Sequence, residues 1–334
     1  MCSPYHAATA GPRSRKAHPI REDAAPAWVL DLIDLAAEAG MPGVADKVVE
    51  ASRILTASIG PGPVAEAIRS GSSSVILDQE DAWVAFEAKL SEIFAPDGPL
   101  SATMRTAISG AIQGAPVPMV IDTGVIAERS GAWLSRHGGQ RITGLSANTR
   151  AGITRLVQDA FAAPQGVKDA ARAILRSDGF ALTERQAVSF ERFVERLTAP
   201  GTGTPAGIQQ AIDRRYTKML RQRADLVAQT EAYTAGNAGQ IETWRTGTAT
   251  GQIDGSLYVI EWVTRVIDVC PRCQALDGTT ASIDGGIFTS REVESGPWSG
   301  QVLEVSAPTV HPRCYCTTHL IRADQAQDYQ QAAS

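Results

Sequence analysis

With 334 residues, 43% of them hydrophobic and 20% charged, the chain is long enough for two or three domains and a sizeable core, which excludes a single tiny module. Aromatics at 6% leave that core to Ala, Leu, Ile and Val, a composition suited to packed helices. A net charge of -5 and a pI near 5.6 exclude a surface that grips nucleic acid all over, because such binding draws on many Lys and Arg contacts.

Residues 1–25 carry Arg13, Arg15 and Lys16 but no apolar run of the kind a secretory signal needs, and they read as a flexible N-terminal arm. Residues 26–118 form an N-terminal helical region. Trp28, Leu32, Leu35 and Ala36 follow helical spacing, and Val44, Val48, Ala51 and Leu55 resume it beyond a break at Gly40 to Gly43. A further helix is expected from about Asp78 to Ile93, and Gly/Pro clusters divide the region into short helices. The apolar stretch from Trp28 to Ala39 is interrupted by Asp31, Asp34 and Glu38, so no membrane span is expected.

Residues 119–256 form a second helical region, with its strongest signal from Ser146 onward. Ile153, Leu156, Val157, Ala160 and Phe161 define one helical face, and Val167, Ala170, Ala171, Ile174 and Leu175 a second, which suggests two antiparallel helices. Thr183 to Gln186 has the form of a capping box that opens a third helix. After a Gly/Thr/Pro connection from Pro200 to Gly207, a long helix is expected from about Ile208 to Ala235. Ile212, Tyr216, Leu220, Val227 and Glu231 share its stripe, so Glu231 needs a partner such as Arg223. Gly236-Asn-Ala-Gly239 then reads as a connection, since it lacks the setting and the Lys of a phosphate-binding loop.

The pattern changes at Leu257, where β-branched and aromatic residues reach strand density. A small β-containing unit is expected over residues 257–322, ending in a short segment from Cys316 to Arg322, with residues 323–334 as a C-terminal tail. One cysteine lies in the N-terminal arm and four fall between residues 270 and 316. That clustering favours a reducing compartment and a metal over a disulfide framework.

Cys270-Pro-Arg-Cys273 places two thiolates on one tight knuckle, and His311-Pro-Arg-Cys314-Tyr-Cys316 supplies the other half of a tetrahedral zinc site. Ligation would supply folding energy to a unit with little core. Cys270, Cys273 and His311 with either Cys314 or Cys316 are the favoured set. Cys314 and Cys316 share a strand face, and the choice between them stays open, as does the alternative of disulfides or buried thiols. A deaminase-like reading of the Cys-x-x-Cys pair lacks its His-x-Glu, because no His lies between His137 and His311. Four protein ligands also leave a metal no open position for water, so no enzymatic activity is expected.

Two stretches resemble a known family, the phage Mu F-like, or head morphogenesis, minor head proteins of tailed bacteriophages. The first is Arg223-Ala-Asp-Leu-Val-Ala-Gln-Thr-Glu231 with Asn237-Ala-Gly239. The second is Cys270-Pro-Arg-Cys273-Gln-Ala-Leu-Asp277-Gly278 with His311-Pro-Arg-Cys314-Tyr-Cys316. Gln229 departs from the family's usual Arg, Tyr315 from the common Arg between the last cysteines, and Pro308-Thr-Val from its Pro-Pro.

The resemblance implies a minor capsid protein that associates with the portal protein and with major capsid or scaffolding protein. It would lie inside the virion head near the portal, and in the host cytoplasm during assembly. The expected fold is mainly α, a helical body with a small C-terminal α+β zinc-knuckle subdomain. A rival expectation is a zinc-stabilised module that contacts packaged DNA through Arg265, Arg272, Arg291 and Arg313 around the knuckle.

Overall fold

A computed structural model describes residues 27–162, 182–198, 203–264 and 269–326. The expected N-terminal arm, the helical face from Val167 to Leu175 and Arg265 lie outside those residues. The fold is mainly α, with small antiparallel strands near the C-terminus. In chain order the elements are α1 (Ala27–Ile59), α2 (Pro61–Ser70), α3 (Ser74–Leu77), α4 (Glu80–Ser91), α5 (Pro99–Gln113), α6 (Thr123–Ala162), α7 (Glu184–Thr198) and α8 (Pro205–Ala249). β1 (Tyr258–Val263), α9 (Pro271–Leu276), β2 (Thr280–Ala281), β3 (Phe288–Thr289), β4 (Glu304–Val305) and β5 (Thr317–Arg322) follow. Among the described residues no helix is long and apolar enough to cross a membrane.

The chain packs into two compact units that are discontinuous in sequence, so the expected boundaries near residues 118 and 256 fall within one unit. The first unit draws on residues 1–41, 99–134 and 229–334, and the second on residues 42–98 and 135–228. Helices α1, α6 and α8 each contribute to both, as their ranges require.

In the first unit β1 is the central strand of a three-stranded antiparallel sheet in the order β2-β1-β5. Ile260 pairs with Ala281 on one side and Leu320 on the other. Trp262 and Phe288 are buried with ring centroids 5.3 Å apart, and Leu276, Ile241 and Trp244 complete the core beneath the sheet. Phe288 reaches it from the β3–β4 pair, where it lies opposite Val305. The β-branched and aromatic run from Leu257 forms β1 because each face of that strand meets apolar neighbours.

Two expected helix breaks are absent. Helix α1 continues through Gly40 to Gly43 with Pro42 inside it, and α8 continues through Gly236 and Gly239 to Ala249. These glycines serve close packing. A Cβ on Gly40 would lie 2.2 Å from Thr103 Oγ1, and one on Gly236 would lie 2.6 Å from Ile33 Cδ1. Helix–helix approach at that distance admits no side chain.

The second unit is helical throughout its described residues. Trp83 is buried under the Arg150 guanidinium, 3.8 Å from the ring centroid, and that arginine donates to the Leu77 carbonyl at 3.0 Å. Helix α6 starts at Thr123, well before the strong signal at Ser146, and its Gly138 admits the Phe94 ring. Arg223, buried on α8, donates to Thr149 Oγ1 at 3.0 Å, and burial pushes its guanidinium down to about 10.

The capping box forms as the sequence predicts. The Gln186 amide N–H donates to Thr183 Oγ1 at 3.3 Å, and the Thr183 N–H to Gln186 Oε1 at 3.1 Å. Gln186 Nε2 also donates to the Met219 carbonyl at 3.2 Å, which fastens α7 to α8. Thr183→Ala should cost about 1 kcal/mol, read as a lowered urea midpoint with an unchanged m-value.

Candidate metal centre

The described C-terminal chain brings five candidate ligands into two adjoining triplets. Cys270 is the N-cap of α9, and Pro271 at N1 fixes the backbone angle that starts the helix. One turn then carries Cys273 back beside Cys270. Asp277 closes the far end, accepting from Thr264 N–H at 2.9 Å and Thr264 Oγ1 at 2.8 Å, while Gly278 turns at φ 72°. Leu276-Asp277-Gly278 therefore anchors the knuckle to β1: one residue in the core, one carboxylate holding the strand end, and one turn.

The second half arrives on a turn in which Cys314 N–H donates to the His311 carbonyl at 3.1 Å and Arg313 takes φ 61°. His311 Nε2 lies 3.1 Å from both Cys270 Sγ and Cys273 Sγ, and Cys273 Sγ lies 3.7 Å from Cys314 Sγ. His311 Nδ1–H donates to the Pro312 carbonyl at 2.8 Å, which leaves the Nε2 lone pair facing the thiols. Two overlapping triplets result, Cys270/Cys273/His311 and Cys273/Cys314/Cys316, each with its ligand atoms within 4.8 Å of one another. All five residues expected from the sequence are thus in one cluster, with Cys273 common to both triplets.

Charge is unevenly shared within the cluster. Hydrogen bonding from Cys273, then from His311, pushes Cys270 down to about 4, and hydrogen bonding from Cys273 and Cys316 pushes Cys314 down to about 3. Cys273 is held up by its hydrogen bonds to Cys270, Cys314 and Cys316. Cys316 is lowered by Cys273 but raised overall by Cys314 and burial. Burial lowers His311, yet the bonds to Cys270 and Pro312 leave it raised. Thiols at this spacing share protons, and a divalent cation would let them all ionise. The cluster could hold a metal ion.

One stripe of α8 grips the ligand-bearing segment. Asn237 Nδ2 donates to the Cys316 carbonyl at 3.0 Å, and Thr317 Oγ1 donates to Gln240 Oε1 at 3.0 Å. Gln229 Nε2 donates to the Tyr315 hydroxyl at 2.6 Å, and the Tyr315 ring meets Tyr233 edge-on at 5.2 Å. Tyr233 in turn donates to Asp34 of α1. The sequence reading assigned none of these residues to the site, although Gln229, Tyr233 and Asn237 stand at helical i, i+4, i+8 spacing. Glu231 is buried, as its place on the stripe implied.

Of the arginines expected around the knuckle, Arg272 and Arg291 make local contacts. Arg272 lies over the Trp298 ring at 4.7 Å, Arg291 donates to the Gln274 carbonyl at 3.1 Å, and Arg313 is exposed. His319 stands on β5 opposite Glu261, edge-on to Trp28 at 5.8 Å, and burial pushes its imidazole down to about 4. The unfolded chain, with a histidine value near 6.5, binds the extra proton between those limits. The neutral ring's contribution is complete above about pH 6.5 and is lost as pH falls through about 4. His319→Gln should therefore reduce the acid sensitivity of unfolding by roughly 1–2 kcal/mol across that window, allowing for partial exposure. Urea melts of both proteins at several pH values measure the difference.

The fold and cluster define a mainly helical protein with a compact Cys/His centre capable of holding a metal. No protein-family model, curated protein or solved structure matches the chain.

Proposed function

We propose that this chain is a minor head protein of a tailed phage, prophage or phage-like particle, acting in head morphogenesis by associating with the portal and the capsid interior. The observation that supports this reading best is the hydrogen bond from Asn237 to the Cys316 carbonyl. It joins the two stretches that carry the resemblance, 79 residues apart in sequence, into one structural unit. Gln229 and Tyr315, the two positions that depart from the family's usual arginines, bond to each other. This neutral pair ties the two segments together without placing like charges side by side.

The metal in this reading is zinc, in a structural role. Two thiolates on a tetrahedral zinc with bonds of about 2.3 Å stand about 3.8 Å apart, and Cys273 and Cys314 stand 3.7 Å apart. The mixed thiol and imidazole donor set suits zinc over calcium or magnesium. Cys270, Cys273, His311 and Cys314 would hold it, with Cys316 behind them; Cys314→Ser would then lose metal that Cys316→Ser retains.

Co-expression with the portal and major capsid proteins of the same phage or prophage tests the function. The chain should sediment with procapsids that contain portal and be absent from portal-free shells. Sedimentation with neither would sink the proposal.

A further inference from the structure

We infer that the solvent-facing flank of α7 is a contact site for the phosphate backbone of duplex nucleic acid. Arg185, Arg192 and Arg196 recur at i, i+7 and i+11 on this helix. At 100° and about 1.5 Å per residue they fall within a sector of roughly 40° and span about 16 Å. All three are exposed, while Ala187 and Phe190 on the opposite side are buried. They border an open groove of about 610 Å³ together with Ser189, Val188 and Glu184.

Among the described residues the three guanidiniums make no ion pair or hydrogen bond, unlike their neighbours. On α8, Arg215 lies over Phe193, Arg221 pairs with Asp46 at 3.8 Å and Arg223 is buried and bonded. Arg192 and Arg196 are like charges one helical turn apart, an arrangement that disfavours the helix. Glu184, Glu191 and Glu195 each precede an arginine by one position, about 100° around the helix, and Glu195 also stands three residues after Arg192. They therefore do not fill the strip between the arginines. An aligned row of unneutralised guanidiniums, with a serine hydroxyl among them, matches a row of phosphates.

The groove carries no exposed aromatic ring: Phe190 is buried and Phe193 lies under Arg215. Single-strand binders rely on such rings to stack bases, so the duplex backbone is the better fit, and contact would be independent of sequence. The inference goes beyond the head-protein reading, since a duplex could be bound with or without a portal partner.

Fluorescence anisotropy of a labelled mixed-sequence duplex, titrated with the full chain at several salt concentrations, tests it. Three phosphate contacts predict a log–log salt slope of about -2.7, or roughly 40-fold weaker binding at 200 mM than at 50 mM salt. The triple variant Arg185→Gln, Arg192→Gln, Arg196→Gln should lose this binding with an unchanged circular dichroism spectrum. The double variant Arg272→Gln, Arg313→Gln should keep it. Salt-dependent binding that survives the triple variant, or is lost only in the double variant, would overturn the inference. So would failure of the parent to bind duplex while poly-glutamate binds through the same arginines, which would assign the flank to an acidic protein partner.

Discussion

Cys273→Ser should strip bound metal from the chain and unfold the segment from Tyr258 to Arg322, while far-UV dichroism keeps most of its helical signal. The reason is positional. Cys273 belongs to both ligand triplets, so its loss breaks both at once, whereas Cys314 and Cys316 belong to only one of them. The strands it organises are short: β2, β3 and β4 have two residues each, which is too little for independent stability. Structural zinc supplies about 10–16 kcal/mol in comparable small units, far more than such strands offer. Elemental analysis of protein purified without added zinc, beside Trp fluorescence before and after chelation, provides the check. One metal per chain in the parent and none in the variant is the expected result. A metal-free parent with the same unfolding profile as the variant would instead mean that the thiols stand alone or oxidise to disulfides.

The ligands were legible in the sequence because their signal is local. Cys-x-x-Cys and His-x-x-Cys-x-Cys each fit within a turn, and a turn's geometry is nearly independent of what surrounds it. The capping box at Thr183 and the strand at Tyr258 were legible for the same reason. The glycines were not. Gly40, Gly236 and Gly239 carry the chemical signature of a break, yet each lies inside a long helix against a neighbouring segment, which at Gly40 and Gly236 leaves too little room for a Cβ and at Gly239 leaves a tight one. Whether a glycine ends a helix or admits a neighbour depends on a partner elsewhere in the chain, and propensity cannot report that. One of the discontinuities follows from the same cause, since α1, expected to break between Gly40 and Gly43, runs on from one unit to the other there. The α8 grip on the ligand segment was hidden by sequence separation: its side chains look like an ordinary polar stripe until residues 309–317 lie against them.

That grip makes Asn237 the most informative substitution outside the ligands. Asn237 is fully buried, and its Nδ2 donates to the Tyr233 carbonyl at 2.9 Å and the Cys316 carbonyl at 3.0 Å. The first acceptor sits within the helix and already receives the ladder bond from the Asn237 backbone; the second is served from across the unit. Asn237→Leu keeps the branched shape, with somewhat more bulk, and removes the donor, leaving the Cys316 carbonyl buried without this donor at a cost of about 1–3 kcal/mol. With its Cys316 contact to α8 lost and the Gln240 and Gln229 contacts remaining, the segment holding Cys314 and Cys316 would be held less firmly, so metal affinity should fall roughly 10- to 100-fold, the usual effect of losing a supporting contact behind a ligand. Asn237→Asp should be worse, because it sets a carboxylate oxygen against the carbonyl in a buried site. Competition with a chromophoric chelator reads the affinity, and dichroism confirms that α8 persists. Affinity equal to the parent in both variants would show that α8 merely lies beside the centre; a loss confined to the aspartate would point to charge burial, not to the missing donor.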